Sequence, residues 1–166
     1  MKPFDKWTKM PLFNKAMDIQ KLVDHIVKAV EHTEIEYKIE YQADMIEGNL
    51  KFLRKNSLII PAKIAIAESE DTLYDIKMEN AAIIRKAARE LITDARGLQM
   101  NGFKDIEYLD LLRAEIEEFR ILFAEWVKTF DQWNYIIDRW GLFNPPGIQY
   151  DDHDPDDDLS FDPDDI

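Results

Sequence analysis

The sequence predicts an all-α protein, an antiparallel up-down-up-down four-helix bundle with a C-terminal extension. Apolar residues recur every three or four positions over four long stretches, the spacing of helices with one buried face. Gly (5) and Pro (7) are few in 166 residues, which favours long uninterrupted elements. We predict a bundle over residues 1–147 and an acidic, Asp-rich tail over 148–166. The predicted helices span about 11–32, 36–68, 72–96 and 105–139.

The first two helices follow from their apolar spacing. Pro11 suits a first helical turn, where its missing N–H costs nothing. Helix two keeps its apolar register through Pro61, so we predict a bend there and not a break. Two shorter helices divided at Ser57 are the alternative. The stripe of helix one is Leu12, Ala16, Ile19, Val23, Ile26 and Val30, and that of helix two is Ile39, Ala43, Ile46, Leu50, Leu53, Ser57, Ile60, Ile64 and Ala67.

The last two helices are separated by turn residues. The polar turn 69–71 precedes helix three, Gly97 is a candidate cap for its end, and Asn101-Gly102 forms the next turn. Helix four carries nine large apolar residues and is expected to continue to Arg139. After it, 140–143 are too apolar to stay in water, so this segment is expected to pack back on the bundle. The helix-four stripe is Leu109, Leu112, Ile116, Phe119, Phe123, Trp126, Phe130, Trp133 and Ile137.

Composition excludes several classes of protein. The chain has no Cys, which rules out disulfides, thiolate metal sites and thiol catalysis and fits a reducing compartment. No apolar run approaches the roughly 18 residues that a membrane span needs. The start of the chain lacks the apolar segment of a signal peptide. We expect a cytoplasmic protein without membrane contact. The net charge of −13 is uneven, because residues 151–166 hold nine Asp and no Lys or Arg and leave −4 for the rest.

Catalytic and metal-binding patterns are weak. The Glu-x-x-His pairs of di-metal bundles are absent, since Leu22 and Ala29 stand three residues before His25 and His32. These two His make at most half a metal site, and a polar flank beside the core is the favoured interpretation. Asp152, Asp154, Asp156 and Asp158 alternate as in a calcium loop, but its Gly and Glu positions hold Asp157 and Pro163. We therefore predict no enzyme, no cofactor and no metal.

Two surface features suggest binding partners. Basic residues on helices two and three are weak candidates for nucleic-acid binding, with a salt-bridged surface as the alternative: Lys51, Arg54, Lys55, Lys63, Arg85, Lys86 and Arg89. Apolar residues outside the bundle stripes predict a homo-oligomer, with a wide core as the alternative. The candidates for this interface are Ala82, Ile83, Ala87, Ile92, Ile121, Leu122, Trp140, Leu142 and Phe143.

Residues 59–67, Ile-Ile-Pro-Ala-Lys-Ile-Ala-Ile-Ala, are similar to a Ser-Ile-Pro-x-Asn-Ile-Ala-Glu-Gly type motif, with matches at Pro61, Ile64 and Ala65. With residues 12–16 and 88–91, this stretch resembles the four-helix-bundle proteins encoded by intervening sequences in bacterial 23S ribosomal RNA genes. Relatives of that family include the accessory variability proteins of diversity-generating retroelements. The resemblance implies a homo-oligomer that forms a pentameric ring. In the retroelement branch it also implies binding of nucleic acid and reverse transcriptase through a basic surface.

We therefore expect a non-enzymatic, oligomeric interaction or scaffold protein. The alternative is a nucleic-acid-binding accessory protein whose basic face on helices two and three is masked by the acidic tail. An enzyme with a carboxylate or His site inside the bundle is a third and disfavoured hypothesis, because no catalytic constellation is present.

Overall fold

A computed structural model describes residues 6–154, which form helices, turns and loops without a β-strand. A short 3₁₀ turn at Trp7–Lys9 leads into α1 (Pro11–Glu31), followed by α2 (Gln42–Ala67), α3 (Tyr74–Met100) and α4 (Ile106–Val127). Each helix packs on its neighbour in the chain, and α4 packs on α1, which closes the ring of four. The predicted four-helix bundle is confirmed. None of the helices within 6–154 combines the length and apolarity that crossing a membrane requires.

The core is built from the predicted stripes of α1 and α2. All six stripe residues of α1 are buried, with Pro11 in its first turn. The α2 helix runs without interruption through a buried Pro61, so the predicted continuity is confirmed and the division at Ser57 is wrong. The Ser57 hydroxyl donates a 2.9 Å hydrogen bond to the carbonyl of Arg54, which satisfies this buried polar group.

The α2 helix begins at Gln42, six residues later than the prediction of about 36. The Gln42 side chain accepts a 2.8 Å hydrogen bond from the backbone N–H of Lys38, which stabilises a turn before the helix. Two members of the predicted stripe are exposed: Ile39, which precedes α2, and Ala43, which lies in its first turn.

Gly97 does not end α3, which continues to Met100. The termination lies at Gly102, whose φ of 111° is left-handed. There the N–H of Phe103 bonds to the carbonyl of Leu98 at 3.0 Å, the closing bond of a Schellman motif. Gly97 has another role, because a Cβ there would lie 2.6 Å from the amide nitrogen of Asn49. Its missing side chain lets α2 and α3 approach closely.

The prediction that helix four continues to Arg139 is wrong, because α4 ends at Val127. After Val127, hydrogen bonds between side chains and the backbone take the place of the backbone hydrogen bonds of the helix. The Thr129 hydroxyl donates to the carbonyl of Trp126 at 2.6 Å, and Asp131 accepts from the N–H of Trp133 at 2.9 Å. Phe130 is buried at its expected spacing, but it lies in a turn.

Residues 128–154 return along the bundle as a non-helical C-terminal segment. The N–H of Tyr74, at the start of α3, donates a 2.9 Å hydrogen bond to the carbonyl of Asn134. The Asn134 amide nitrogen donates to the carbonyl of Thr72 at 3.2 Å. Residues 155–166 lie outside the described part of the chain, so the prediction of an acidic, Asp-rich tail, with a calcium-like loop as its disfavoured alternative, stays untested there.

Candidate interaction surface

A rigid turn lies in the C-terminal segment at residues 138–144, here called the hook. The Asp138 carboxylate accepts hydrogen bonds from the backbone N–H groups of Trp140, Leu142 and Phe143, at 3.0, 2.9 and 2.8 Å. The Asn144 side chain closes the loop, accepting from the Asp138 N–H at 2.7 Å and donating to the Asp138 carbonyl at 3.0 Å. The hydrogen bond from Phe143, helped by those from Trp140 and Leu142, lowers the pKa of Asp138 below its ordinary value.

Residues 150–152, which follow the hook in the sequence, contact it on one side. The Arg139 guanidinium donates to the carbonyls of Tyr150 and Asp152, at 3.1 and 2.7 Å. Gly141 has a left-handed φ of 71°, and a Cβ there would lie 3.3 Å from the Cβ of Tyr150. Residues 150–152 therefore lie beside residues 139–141 and support this part of the hook.

The hook presents apolar side chains to solvent. Trp140 is 96% exposed and Leu142 is 72% exposed, whereas Phe143 is half-buried and Pro145 is buried. The expectation that this segment packs back on the bundle is therefore wrong for Trp140 and Leu142. The three bonds to Asp138 fix the local backbone, and the two side chains stay in water although burial would favour them.

The hook meets α3 at a surface cavity of about 630 Å³. The cavity brings together two candidates from α3, Ala82 and Ile83, and two from the hook, Leu142 and Phe143. Four of the nine predicted interface residues are thus neighbours, although they are 60 positions apart in the sequence. The basic side chains of Arg85, Lys86 and Arg89 lie on the same cavity.

A second opening lies between α3 and α4, the two adjacent helices with the least extensive contact. It is a groove of about 460 Å³ with an apolar floor and charged edges. Arg85 and Arg89 border both this groove and the hook cavity, so they form a basic ridge between the two. The groove is lined by Arg85, Ala88, Arg89, Ile92, Ile116, Glu117, Phe119, Arg120, Phe123, Ala124 and Val127.

The remaining interface candidates lie in different places. Ile92 lines the groove between α3 and α4. Leu122 is half-buried near Pro11, on the other side of α4, and Ile121 is 54% exposed. Ala87 is buried in the core and is therefore not available for a subunit contact, which corrects the prediction for this residue. Its neighbour on the helix, Ala88, is also buried, because the buried face of α3 is wide.

The basic candidates divide into paired and unpaired side chains. Arg54 binds Glu31 at 2.6 Å, and Lys86 lies 3.3 Å from Glu90. Lys63 is half-buried. Four other candidates are exposed and have no carboxylate within 4.0 Å among residues 6–154: Lys51, Lys55, Arg85 and Arg89.

Outside the hook, three titratable groups of the described chain are possible functional groups: His25, His32 and Asp94. His25 lies on α1 and His32 caps the C-terminal end of that helix, and both side chains are exposed. The described residues hold no group of three His, Cys, Asp or Glu side chains placed for a metal ion. Burial, assisted by the nearby charge of Glu90, raises the pKa of Asp94 to about 6. Asp94 belongs to no candidate metal-ligand group in residues 6–154, and its raised pKa bears on stability.

The sequence offered a signal for the hook that apolar spacing did not capture. Asp138, Gly141 and Asn144 are residues that favour turns through side-chain bonds and left-handed backbone. Asp138 lies at the end of the helix predicted to reach Arg139, and Gly141 and Asn144 follow that helix, so the three residues together indicated a turn at the position of the hook.

Comparison of the chain with family models, curated proteins and solved structures gives no match. The resemblance to the intervening-sequence family therefore stays a prediction.

Proposed function

We propose that this chain is a non-enzymatic interaction protein that assembles with copies of itself, and that the hook is its central contact. The observation that carries the proposal is the exposure of Trp140 and Leu142 on a turn that Asp138 and Asn144 hold rigid. A pre-formed turn loses little conformational entropy on binding. Tryptophan is the residue type most enriched at the energetic centre of protein interfaces.

The surroundings of the hook also favour a protein contact. The C-terminal segment exposes further large apolar side chains, with Trp133 at 90% and Ile136 at 62%. Monomeric proteins rarely leave large apolar patches in water. If the hook of one copy packs against a different surface of the next copy, the contact is head-to-tail. Such contacts close a ring when the rotation between copies allows it. The resemblance favours a ring of five, and the lack of Cys favours the cytoplasm.

Sedimentation of matched variants tests the proposal. Trp140→Ser with Leu142→Ser removes the two exposed side chains without touching the bonds to Asp138. Tyr41→Ser with Met45→Ser is the control, because it removes side chains that are 63% and 53% exposed at the start of α2. We expect the hook variant to sediment as a single chain and the control to keep the mass of the unaltered protein. Equal masses for all three would contradict the role of the hook.

A second candidate function, nucleic-acid binding, is favoured by the four predicted basic candidates that are exposed and have no carboxylate within 4.0 Å in 6–154, namely Lys51, Lys55, Arg85 and Arg89. Binding to RNA and DNA should then weaken linearly with the logarithm of salt concentration, because each phosphate contact releases counterions. Arg85→Ala with Arg89→Ala should lower that slope by about 2. Lys86→Ala is the control, since Lys86 is paired with Glu90. Absence of binding at low salt by both the unaltered chain and a chain with Leu159→Ser and Phe161→Ser contradicts this function, since masking by the acidic tail accounts for absence of binding by the unaltered chain alone.

A further inference from the structure

We propose that residues 155–166 of this chain bind in the groove between α3 and α4, so that the protein carries its own peptide ligand. This inference goes beyond self-association, because the groove is a different surface from the exposed side chains of the hook. Three properties support it: the chemistry of the groove, the chemistry of residues 155–166, and the position at which the described chain ends.

The groove has an apolar floor that no helix of the bundle covers. Ile92 from α3 and Phe119, Phe123 and Val127 from α4 supply this floor. Ile92, Phe123 and Val127 are half-buried, so part of each remains available for contact. The groove opens because α3 and α4 touch less extensively than the other adjacent helices. Its volume of about 460 Å³ suits two or three large apolar side chains.

The α3 edge of the groove carries excess positive charge. Arg85 and Arg89 are four residues apart and exposed, and no carboxylate lies within 4.0 Å of either in the described chain. On the opposite edge, Arg120 already binds Glu117 through its Nε at 2.9 Å. The α3 edge is therefore the side where an anionic ligand gains new charge-assisted hydrogen bonds.

Residues 155–166 have the complementary chemistry. They read Pro-Asp-Asp-Asp-Leu-Ser-Phe-Asp-Pro-Asp-Asp-Ile and hold six Asp with no Lys or Arg. Leu159 and Phe161 are two apart, so an extended peptide directs both to the same side. Asp158 and Asp162 flank this apolar pair. An acidic segment with a central Leu-x-Phe pair matches an apolar floor beside two arginines.

The end of the described chain lies on the correct side of the molecule. Arg139 binds the carbonyls of Tyr150 and Asp152, which places residues 150–152 beside the hook. The hook lines the cavity that Arg85 and Arg89 also border. Leu159 follows the last described residue by five positions, and such a length spans at most about 18 Å when extended. A contact within one chain also benefits from an effective concentration of about millimolar.

Binding of residues 155–166 would cover Arg85 and Arg89, two of the four basic candidates that have no carboxylate within 4.0 Å among residues 6–154. The tail would then compete with phosphate groups for these arginines. This consequence rests on the second candidate function, whereas the docking itself does not.

A fluorescently labelled peptide of residues 155–166 tests the docking on the full-length protein. In the unaltered chain the attached tail should compete with the peptide. Leu159→Ser with Phe161→Ser in the full chain should free the groove, so the peptide should bind at least tenfold more tightly. Adding Arg85→Ala and Arg89→Ala should then weaken that binding at least tenfold. Lys51→Ala with Lys55→Ala is the matched control and should change the affinity less than twofold.

Three results would overturn the proposal. The first is equal peptide affinity for the unaltered chain and the Leu159→Ser, Phe161→Ser chain, including absence of binding to both. The second is a larger loss of peptide affinity on replacing Lys51 and Lys55 than on replacing Arg85 and Arg89. The third is equal binding of a peptide that itself carries the two Ser substitutions, since the apolar floor would then have no role. Sedimentation of the same samples reports self-association separately, so failure of one proposal is distinguishable from failure of the other.

Discussion

The indole nitrogen of Trp126 on α4 donates a 2.6 Å hydrogen bond to the carboxylate of Glu68, the C-cap residue that follows α2. The same carboxylate lies 4.0 Å from the ammonium of Lys77 on α3, and that ammonium lies 5.3 Å from the ring centroid of Phe130. Phe130 in turn packs edge-on against Trp126, with ring centroids 4.8 Å apart. Three helices and the first turn after α4 are thus joined around Glu68.

Removing this carboxylate should destabilise the bundle. We expect Glu68→Ala to lower the free energy of unfolding by about 1–2 kcal/mol, because Trp126 loses a charge-assisted acceptor in a partly buried position. Glu70→Ala, an exposed neighbour, should change it by less than about 0.5 kcal/mol. Urea denaturation measures both. Equal effects of the two substitutions would show that the Trp126 bond contributes nothing specific.

Two glycines in helices should respond in opposite ways to alanine. A Cβ at Gly48 on α2 meets nothing within 4 Å, so Gly48→Ala should stabilise by about 0.5–1 kcal/mol through helix propensity. A Cβ at Gly97 on α3 would lie 2.6–2.9 Å from side-chain atoms of Asn49. Gly97→Ala should therefore destabilise by about 1 kcal/mol.

Thermal or urea unfolding checks the pair, and a double variant identifies the cause. The Asn49 amide nitrogen is buried without a hydrogen-bond partner among the described residues. Asn49→Ala removes the atoms that clash with the added Cβ. In the Asn49→Ala variant, Gly97→Ala should therefore stabilise the helix as Gly48→Ala does. If Gly97→Ala stabilises the unaltered chain as Gly48→Ala does, the close approach of α2 and α3 does not require a glycine at position 97.

Asp94 makes stability depend on pH in a defined window. Its pKa is about 6 in the folded protein, above its ordinary value of 3.8, mainly because of burial. Between about pH 4 and pH 6 the folded state binds a proton that the unfolded chain has lost, so the free energy of unfolding falls as pH rises. Asp94→Asn should remove this dependence and stabilise the protein by about 1 kcal/mol at pH 7.5, since the side chain is only partly buried. A difference that stays constant from pH 4 to pH 7.5 would contradict this role.

The fold was predictable because each helix buries one stripe. The α1 stripe is buried from Leu12 to Val30 as expected, since a 3-4 spacing places these side chains on one face. The same rule failed after Val127. Apolar residues at Phe130, Trp133 and Ile137 continue the spacing, but spacing does not reveal whether the backbone is helical. Side-chain bonds from Thr129, Asp131 and Asn134 decided the outcome.

The hook should depend on Asp138 while the bundle does not. Asp138→Ala removes the acceptor of three backbone N–H groups, so the amides of Trp140, Leu142 and Phe143 should lose hydrogen-exchange protection. Amides in the core of α1 should keep theirs. Because the pKa of Asp138 is lowered, its contribution is present at neutral pH and is lost only as pH falls through that lowered pKa. Unchanged protection in Asp138→Ala would show that other contacts hold the turn.

The candidate surface was less predictable than the fold. The sequence predicted Ala82, Ile83, Leu142 and Phe143 as candidates for an interface, and the structure brings these four together around one cavity. It could not show that Ala87 is buried, because alanine is common both in cores and on surfaces. It also could not separate paired from unpaired cations, since the pairing of Arg54 with Glu31 joins α2 to α1 across 23 positions.

The native mass of the unaltered full-length chain at micromolar concentration tests the central claim most directly. One chain has a mass of 19.6 kDa. We predict a defined multiple of this mass that falls to a single chain when Trp140 and Leu142 are replaced by Ser. A mass of one chain for the unaltered protein, at low salt and across a concentration series, would contradict self-association through the hook.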